Sequence, residues 1–257
     1  MSEFTPVPER RKQILARLNR KGRMSVSEIV QRFSISKATA RRDLGSLASQ
    51  GKAQRVHGGA IAAEQAPPEL PILERQKEQA DEKARIGRVA ASLVATKETI
   101  FLGSGTTVLE VARQLRGRAE LTVISNSLPV INVLSGLEAI TVIGLGGMLR
   151  TTELSFIGHI TDLALSELRV DKVIMGARGI SLDPGLTSDF LPETLTDRAI
   201  LKIARQVIIV TDHSKINRIS SARLAPLDQV DTLVTDKQAP RAFVAALRRR
   251  KIEVLLA

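Results

Sequence analysis

The first domain is decided by the stretch SVSEIVQRFSISKATARRDLGSLASQGKAQRVHGGA, residues 25–60. Its first part predicts a helix that starts at Ser25, because Glu28 three positions later completes a capping box in which each side chain binds a free backbone N–H group. After the short turn FSIS, Ser36 can cap a second helix with the sequence KATARRDLGSLASQ, residues 37–50. The stretch therefore predicts two consecutive helices joined by a tight turn.

The helix predicted over 37–50 has one apolar side and one polar side. Ala40, Leu44 and Leu47 share the side that is expected to face the other helices, while basic and hydroxyl residues lie near the helix start. Arginine can bind O6 and N7 of guanine with two hydrogen bonds, and lysine or threonine can bind a phosphate or a base edge. The pattern predicts a helix-turn-helix whose second helix enters the major groove of DNA.

Two flanking segments complete this domain. Residues 9–20 (ERRKQILARLNR) predict a preceding amphipathic helix that Gly22 ends, and residues 51–61 (GKAQRVHGGAI) predict two short strands around a basic turn. Three helices followed by a basic hairpin form a winged helix. We therefore expect DNA contacts from seven residues: Ser36, Lys37, Thr39, Arg41, Arg42, Arg55 and His57.

The distribution of charge favours the same function. Residues 1–60 contain 13 Lys and Arg against four Asp and Glu, a net charge of +9 out of the chain's +11, which leaves +2 for the other 197 residues. Charge of this kind fits either a solvated surface or a site for the phosphate backbone, and the helix pattern favours the second. With six Phe and no Trp or Tyr, base stacking on single strands is not expected, so the expected partner is double-stranded DNA.

The remaining composition is that of a globular protein, with 43% hydrophobic and 25% charged residues. The chain has no cysteine, and its three histidines (His57, His159, His213) are widely separated, so neither a metal nor another cofactor is expected. The N-terminus is charged where a signal peptide would be apolar, and no run of about 18 apolar residues occurs. We therefore expect a cytoplasmic protein with no membrane partner.

The rest of the chain predicts an α/β domain. Residues 62–72 (AAEQAPPELPI) contain three prolines and no periodicity, which predicts a linker over 62–73 between a domain at 1–61 and one at 74–257. A helix is predicted over roughly 74–95. Beyond it, helical patterns alternate with seven apolar runs: TIFL, LTVI, AITVIG, DKVIMG, QVIIVT, VDTLVT and IEVLL. Such alternation is typical of a mostly parallel sheet with helices on its faces.

Three successive predicted strands end in small or hydroxyl residues. These are Gly103, Ser104, Gly105, Thr106 and Thr107 after the first strand, Ser125, Asn126 and Ser127 after the second, and Gly146 and Gly147, with Arg150 close behind, after the third. Each loop alone is more often an ordinary turn, and GSGTT lacks the lysine of a Walker A loop. Parallel strands, however, present their carboxyl ends at one edge, where glycines, hydroxyls and a helix start can hold a phosphate. We predict a phosphorylated ligand there. The side chain of Arg150 either pairs with its phosphate or is simply solvated.

Five stretches occur in a joint order and spacing: residues 25–60, GSGTT (103–107), SNS (125–127), GG (146–147) and DHSK (212–215). Over nearly the whole chain they resemble the DeoR family of bacterial sugar-catabolism repressors. This resemblance implies a sensor domain similar in fold to ribose-phosphate isomerases. It also implies a sugar-phosphate effector that weakens operator binding, with Glu193, Asp212 and Lys215 around the sugar.

Three positions depart from the pattern of the DeoR family. Members often carry Asp in the strand-end position of Gly103 and a Lys-Arg pair where this chain has Asp197 and Arg198, so the identity of the sugar does not carry over. Ala40 stands where a larger aliphatic residue is usual, which we expect to change packing without removing a DNA-reading side chain.

Two other functions are consistent with parts of the sequence. Glu193, Asp212 and Lys215 are capable of acid-base chemistry, so an aldose-ketose isomerase fused to a DNA-binding module is the main alternative. A nucleoid-type protein would instead bind DNA without regard to sequence. We favour the regulator, which needs ligand binding without turnover. We also expect a homo-oligomer, a dimer or tetramer, because one winged helix rarely supplies enough contact area for tight specific binding.

Overall fold

The computed structural model describes residues 6–49, 53–56, 58–62, 64–65 and 71–257. Within these ranges the helices are α1 (Val7–Lys21), α2 (Val26–Phe33), α3 (Lys37–Ser49), α4 (Ile72–Arg75), α5 (Ala80–Ser92), α6 (Thr106–Leu115), α7 (Leu128–Leu134), α8 (His159–Ser166), α9 (Leu191–Lys202) and α10 (Arg241–Arg249). Short 3-10 helices cover His213–Lys215 and Leu227–Gln229.

The strands in the N-terminal half of the chain are β1 (Arg23–Ser25), β2 (Ala53–Val56), β3 (Gly59–Ala62), β4 (Glu64–Gln65), β5 (Thr99–Leu102), β6 (Leu121–Ser125) and β7 (Ile140–Gly144). Those that follow are β8 (Met148–Arg150), β9 (Ser155–Ile157), β10 (Val170–Gly176), β11 (Gly179–Ile180), β12 (Leu186–Ser188), β13 (Ala204–Val210), β14 (Arg218–Ile219), β15 (Ala222–Ala225), β16 (Thr232–Thr235) and β17 (Glu253–Leu256).

The N-terminal domain packs three helices against a small antiparallel sheet, as a winged helix does. The predicted capping box at the start of α2 is confirmed: the Glu28 backbone N–H donates to Ser25 Oγ at 3.1 Å, and the Ser25 N–H donates to Glu28 Oε2 at 2.7 Å. Gly22 ends α1 with a φ of 75°. The two strands of the wing are also confirmed, as β2 and β3.

The sheet contains a third strand that the sequence analysis missed. β1 pairs with β3 on the side opposite β2, and a Cβ atom on Gly59 would lie 2.2 Å from the backbone oxygen of Met24. Only glycine therefore permits this approach of β3 to β1. A strand of three residues between two helices is too short to show alternation, which is why the pattern did not reveal it.

The α/β domain is built on a seven-stranded sheet in the order β17-β16-β13-β10-β5-β6-β7, and every neighbouring pair is parallel. The predicted fold class is confirmed. The first strand of this sheet along the chain is β5, and β6 and β7 follow it towards one edge. The chain then returns to β10, on the other side of β5, and β13, β16 and β17 continue towards the opposite edge. The order of strands therefore reverses between β5 and β10, which is where ligands of such sheets bind.

Both faces of this sheet are covered by helices. Alternate residues of β5 point to opposite sides: Ile100 and Leu102 belong to the core beneath α5, α6 and α7, while Phe101 belongs to the core beneath α9 and α10. All three side chains are fully buried. Burial on both faces explains why the strands are short continuous apolar runs in the sequence.

The segment predicted as a linker, 62–73, makes contacts with the α/β domain. β4 pairs with β14, and Ile72 is 1% exposed, with its N–H donating to the Thr152 oxygen at 2.9 Å. Ordered contacts with this domain thus begin before the predicted boundary at residue 74. The single helix predicted over 74–95 is instead α4 and α5, separated by a turn in which Gln79 has a φ of 48°.

Candidate functional site

The first candidate surface is the exposed side of α3. Ser36 Oγ accepts a hydrogen bond from the Thr39 N–H at 3.0 Å and lies 2.9 Å from the Thr39 hydroxyl, so Ser36 caps this helix as predicted. Lys37, Arg41 and Arg42 are exposed near the helix start, and Thr39 is half-buried. The helix start therefore presents basic groups to solvent.

The opposite side of α3 is fixed to α1 by a buried carboxylate. Asp43 is 1% exposed and accepts hydrogen bonds from Nε of Arg10 at 2.7 Å and Nε of Arg11 at 2.8 Å, while Arg11 also donates to Ser46 Oγ. Ala40, Leu44 and Leu47 are buried beside it, as predicted. The count of charges in residues 1–60 does not reveal this role of Asp43, whereas its position three residues after Ala40 places it on the buried side of α3.

The wing contributes one described basic group. Arg55 is exposed on β2, in a sheet held by pairing of β3 with both β1 and β2. His57, the remaining residue of the predicted DNA-reading set, lies outside the described residues. The basic start of α3 and Arg55 together form the part of the predicted DNA surface that the structure describes.

The second candidate site is a cavity at the reversal point between β5 and β10. Its floor consists of the loops that follow β5, β10 and β13, and α4, α5, α9 and β12 supply its walls. Seven residues predicted from the sequence line it: Ser104, Gly105, Thr106, Thr107, Glu193, Asp212 and Lys215. The structure thus brings together the loop after β5, which is predicted to bind phosphate, and the three polar residues for which the resemblance implies a place around a sugar.

Four cationic side chains line this cavity: Arg75, Lys83, Arg178 and Lys215. Burial lowers the pKa of Lys83 and of Lys215, and the nearby Asp212 carboxylate opposes that shift for both. Lys83 Nζ donates to the backbone oxygen of Arg75 at 2.7 Å. Partly dehydrated cations bind an anion strongly because less water has to be displaced from them.

Carboxylates line the cavity as well: Glu78, Glu153, Glu193, Asp197 and Asp212. Glu153 forms a buried ion pair with Arg75, and the Asp212 carboxylate accepts a hydrogen bond from the Ser214 N–H at 2.9 Å. Four cations and five carboxylates make a site of mixed charge. Such a site suits a ligand with an anionic group at one end and hydroxyl groups that can donate to carboxylates at the other.

Seven other residues of the predicted effector set lie outside the cavity lining. Gly103 packs between β5 and β10, where a Cβ atom would lie 3.1 Å from Met175 Cβ. Gly146 accepts a hydrogen bond from the Thr161 hydroxyl, and a Cβ atom on Gly147 would lie 2.2 Å from that same hydroxyl. Arg150 forms an ion pair with Glu193. Gly103 and Gly147 serve close packing, and Arg150 is joined to the cavity lining by its ion pair with Glu193.

Ser125, Asn126 and Ser127 complete this outlying group. Ser125 Oγ donates to the Leu102 oxygen at 2.7 Å and accepts from the Ser127 N–H at 3.0 Å, while Asn126 Nδ2 donates to the Phe156 oxygen at 3.0 Å. Ser125 ends β6, and Asn126 and Ser127 follow it, on the far side of β5 from the reversal point. The prediction treated the ends of three adjacent strands as one rim, whereas the cavity lies on the other side of β5.

The sequence analysis missed Arg75, Lys83, Glu153, Arg178 and Asp197 as lining residues. Arg178 follows β10 as Ser104 follows β5, so its strand-end position was the available signal. Arg75 and Lys83 lie next to the predicted linker and reach the cavity through the folding of α4 and α5, which no local pattern indicates.

The described residues contain neither a membrane-spanning helix nor a cluster of metal-binding side chains. None of the helices in that part of the chain is long and apolar enough to cross a membrane. The same residues include no cluster of three or more histidine or acidic side chains placed to hold a metal ion.

Known proteins resemble this chain over both domains. Residues 10–66 match the DeoR-like helix-turn-helix domain, and residues 78–237 match the DeoR C terminal sensor domain. The glycerol-3-phosphate regulon repressor of Escherichia coli is 34% identical over 248 residues, which cover 96% of this chain and 98% of that protein. The transcriptional repressor AccR of Agrobacterium fabrum is 34% identical over 234 residues, 91% of each chain.

Among solved structures, ribose 5-phosphate isomerase A from Methanocaldococcus jannaschii matches with 20% identity and a TM-score of 0.41, covering 54% of this chain and 55% of that one. A TM-score below 0.5 carries no functional argument. The two domain matches, together with relatives of 34% identity over almost their full length, are decisive. The chain therefore belongs to the DeoR family of transcriptional regulators.

Proposed function

We propose that this regulator represses a sugar-catabolism operon by binding its operator as an oligomer, and that a phosphorylated sugar in the cavity releases it. The observation that carries the proposal is the cavity at the β5–β10 reversal point, where a helix start, buried cations and carboxylates converge. The repressor names of the relatives support the sign of the response.

The phosphate group would lie at the start of α6. Gly105 precedes this helix with a φ of 111°, and no side chain caps the helix start. The first-turn N–H groups and the hydroxyls of Thr106 and Thr107 can therefore donate to phosphate oxygens, with the positive end of the helix dipole favouring the anion. Lys215 and Arg178 add positive charge to the same cavity.

The carboxylates of the cavity would bind the sugar. Glu193, Asp197 and Asp212 can accept hydrogen bonds from sugar hydroxyls. The number of these carboxylates sets which arrangement of hydroxyl groups on a sugar fits the cavity. Asp197 is one of the three positions at which the chain departs from the usual pattern of the family. We infer that Asp197 helps to distinguish this regulator's sugar from the sugars of its relatives.

Arg75 and Lys83 would transmit the binding event. Both belong to the first helices after the linker, and both line the cavity. A ligand can change DNA affinity only if it binds one conformational state better than the other. Contacts between the ligand and these two side chains would act directly on the segment that joins the cavity to the DNA-binding domain.

The proposal is tested by thermal-shift screening of sugar phosphates, followed by operator binding with and without the stabilising compound. We expect Thr107→Glu to abolish the shift while operator binding is retained, because the new charge repels the phosphate. Thr141→Glu, on the exposed surface of β7, is the matched control and should behave as the wild type. A normal thermal shift for Thr107→Glu would refute the assignment of the cavity.

The DNA half of the proposal has its own test. We expect Arg41→Ala and Arg42→Ala each to weaken operator binding and to reduce the slope of log affinity against log salt by about 1, with ligand-induced stabilisation unchanged. Arg205→Ala removes an exposed charge from the α/β domain and serves as the control. Equal affinity for operator and random DNA at physiological salt would favour the nucleoid-type alternative instead.

We infer that the cavity binds its ligand without turnover, in keeping with the regulatory names of the relatives. Incubation with pentose and hexose phosphates should give no aldose-ketose interconversion. Interconversion at enzymic rates, lost in Glu193→Gln, would show that the isomerase alternative is correct.

A further inference from the structure

The turn between β8 and β9 carries a buried carboxylate to which the proposed function gives no role. Glu153 lies in this turn, is 4% exposed and lines the cavity. Its Oε1 atom lies 3.8 Å from the position that a Cβ atom would have on Gly105, the residue that precedes α6. The structure therefore places an acid beside the helix start at which the phosphate group of the effector is proposed to bind.

The surroundings of the Glu153 carboxylate are those that an anion favours. The first N–H groups of a helix have no partner within the helix, and the helix dipole is positive at this end. Gly105 has no side chain with which to cap α6. The carboxylate also forms an ion pair with Arg75, one of the four cations that line the cavity. A helix start and an arginine are the same two partners that bind a phosphate group.

We propose that Glu153 occupies the place of the effector's anionic group in the unliganded protein, and that the effector binds by displacing this carboxylate from the start of α6 and from Arg75. Two negative groups repel each other strongly in a partly buried site, so the carboxylate and a phosphate group exclude each other there. The inference rests on the proposed function, which puts a phosphate group at the start of α6, and adds the residue that competes with it.

The turn that carries Glu153 is attached to the first helix after the predicted linker. The Ile72 N–H, at the start of α4, donates to the Thr152 oxygen at 2.9 Å, and Arg75, at the end of α4, pairs with Glu153. Ile72 is 1% exposed and Arg75 is 8% exposed. The turn thus contacts α4 at both ends of the helix, and displacement of Glu153 removes one of these two contacts.

This arrangement gives the effector a reason to favour one of two states. In the first state the Arg75–Glu153 ion pair joins α4 to the turn. In the second, Arg75 and the start of α6 bind the effector, and the turn is released from α4. A ligand shifts an equilibrium only if it binds one state better, and the effector binds only the second because Glu153 occupies its place in the first. Helix α4 follows the segment that leads from the DNA-binding domain, so the exchange of partners at Arg75 acts on that segment.

The first experiment measures sulfate binding to the full chain by calorimetry, at an ionic strength held constant with chloride. We expect Glu153→Gln to bind sulfate about tenfold more tightly than the wild type, because the amide keeps the shape of the side chain and removes the competing charge. Glu98→Gln, which removes a carboxylate paired with Lys172 in the same domain, is the matched control and should bind as the wild type. Equal or weaker sulfate binding by Glu153→Gln would overturn the proposal.

A double variant keeps the test valid if Glu153→Gln does not fold. The single substitution takes from the buried Arg75 the carboxylate with which it pairs, whereas Arg75→Gln combined with Glu153→Gln removes both charges of the pair. We expect the double variant to bind sulfate within about threefold of the wild type, because the competing carboxylate and the arginine are lost together. A gain of about tenfold in the double variant would show that the anion does not take Arg75 from Glu153, and would overturn the proposal.

The third measurement uses the wild type alone. Hydrogen exchange with and without saturating sulfate follows the Ile72 amide, which donates to the turn at Thr152. We expect sulfate to accelerate exchange of this amide by about tenfold or more, because the turn leaves α4. The Gly103 amide, which donates to the Ile174 oxygen at 3.0 Å, is the control and should exchange no faster. Unchanged or slower exchange at Ile72 would overturn the proposal.

The role of Glu153 and the proposed function fail in different ways. Sulfate binding that Thr107→Glu abolishes, but that has the wild-type affinity in Glu153→Gln, would overturn the role of Glu153 and leave the cavity as the effector site. Normal sulfate binding by Thr107→Glu would instead refute the position of the phosphate group, and with it both proposals.

Discussion

The replacement Asp43→Asn is expected to destabilise the DNA-binding domain strongly while leaving the sensor domain intact. Asp43 is 1% exposed, and both of its oxygens accept hydrogen bonds from arginines of α1. The amide keeps the shape of the side chain and removes its charge. Arg10, which is 4% exposed, is then left as a buried cation without its carboxylate.

The size of the effect follows from burial. Removing one partner of a buried ion pair costs about 3–5 kcal/mol. A domain of roughly 60 residues has a free energy of unfolding of about 3–9 kcal/mol at the usual stability per residue. The substitution therefore removes from a third to all of the stability of this domain, because the packing of α3 on α1 depends on the same carboxylate.

Hydrogen exchange resolves the two domains in one experiment. A loss of about 3–5 kcal/mol should raise exchange of the slowest amides in α1, α2 and α3 by about 100- to 4,000-fold, up to the limit of complete unfolding, while amides of β5 and β10 keep their rates. Operator binding should fall in parallel. Arg42→Ala is the control: Arg42 is exposed on the same helix, so we expect loss of DNA binding with exchange nearly unchanged.

Two results would refute this reasoning. Exchange in α1–α3 that rises less than tenfold would mean that the Asp43 pairs contribute no more than a surface ion pair does. Equal acceleration in the β5 and β10 amides would mean that the two domains do not unfold independently.

Three further predictions concern single positions. Gly45→Ala should stabilise the DNA-binding domain by about 0.5–1 kcal/mol in urea unfolding, because Gly45 lies inside α3 and an added Cβ meets no atom within 4 Å; a loss of stability would contradict this. Gly59→Ala should destabilise the same domain by about 1–3 kcal/mol, because its Cβ would lie 2.2 Å from the Met24 oxygen, and we would abandon the β1–β3 pairing if the unfolding curve did not move. Burial lowers the pKa of Lys215 below its usual 10.5, and an anion favours the charged form, so sulfate affinity should fall as pH rises from neutral through that lowered pKa. Lys215→Arg, measured by calorimetry, should lose less affinity over this range, and an equal fall in both proteins would show that another group titrates.

Local patterns were sufficient for the elements whose signals lie within a few residues of one another. The capping box of α2, Gly22 after α1, the buried stripe of α3 and the seven parallel strands were all predictable, because capping, periodicity and burial on both sheet faces depend on neighbours in the chain. The same signals missed β1, β4 and the β8–β9 hairpin, because strands of two or three residues are too short to show alternation. β1 and β4 are in addition held by partners far away in the sequence.

The sequence by itself determined that this is a winged helix followed by an α/β sensor domain, and it predicted the loop after β5, which lines the cavity, as a place for the ligand. Only the tertiary structure decided which strand ends share the cavity. The reversal of strand order places the cavity between β5 and β10, so Arg178 joins Thr106 there, while Ser125 and Asn126 lie beyond β5 and donate hydrogen bonds to backbone oxygens. The tertiary structure also decided that Asp43, one of the few acids in a basic segment, is the buried residue that holds α3 against α1. The physical reason is that strand neighbours and buried ion pairs are set by contacts between residues distant in the chain, which no local pattern encodes.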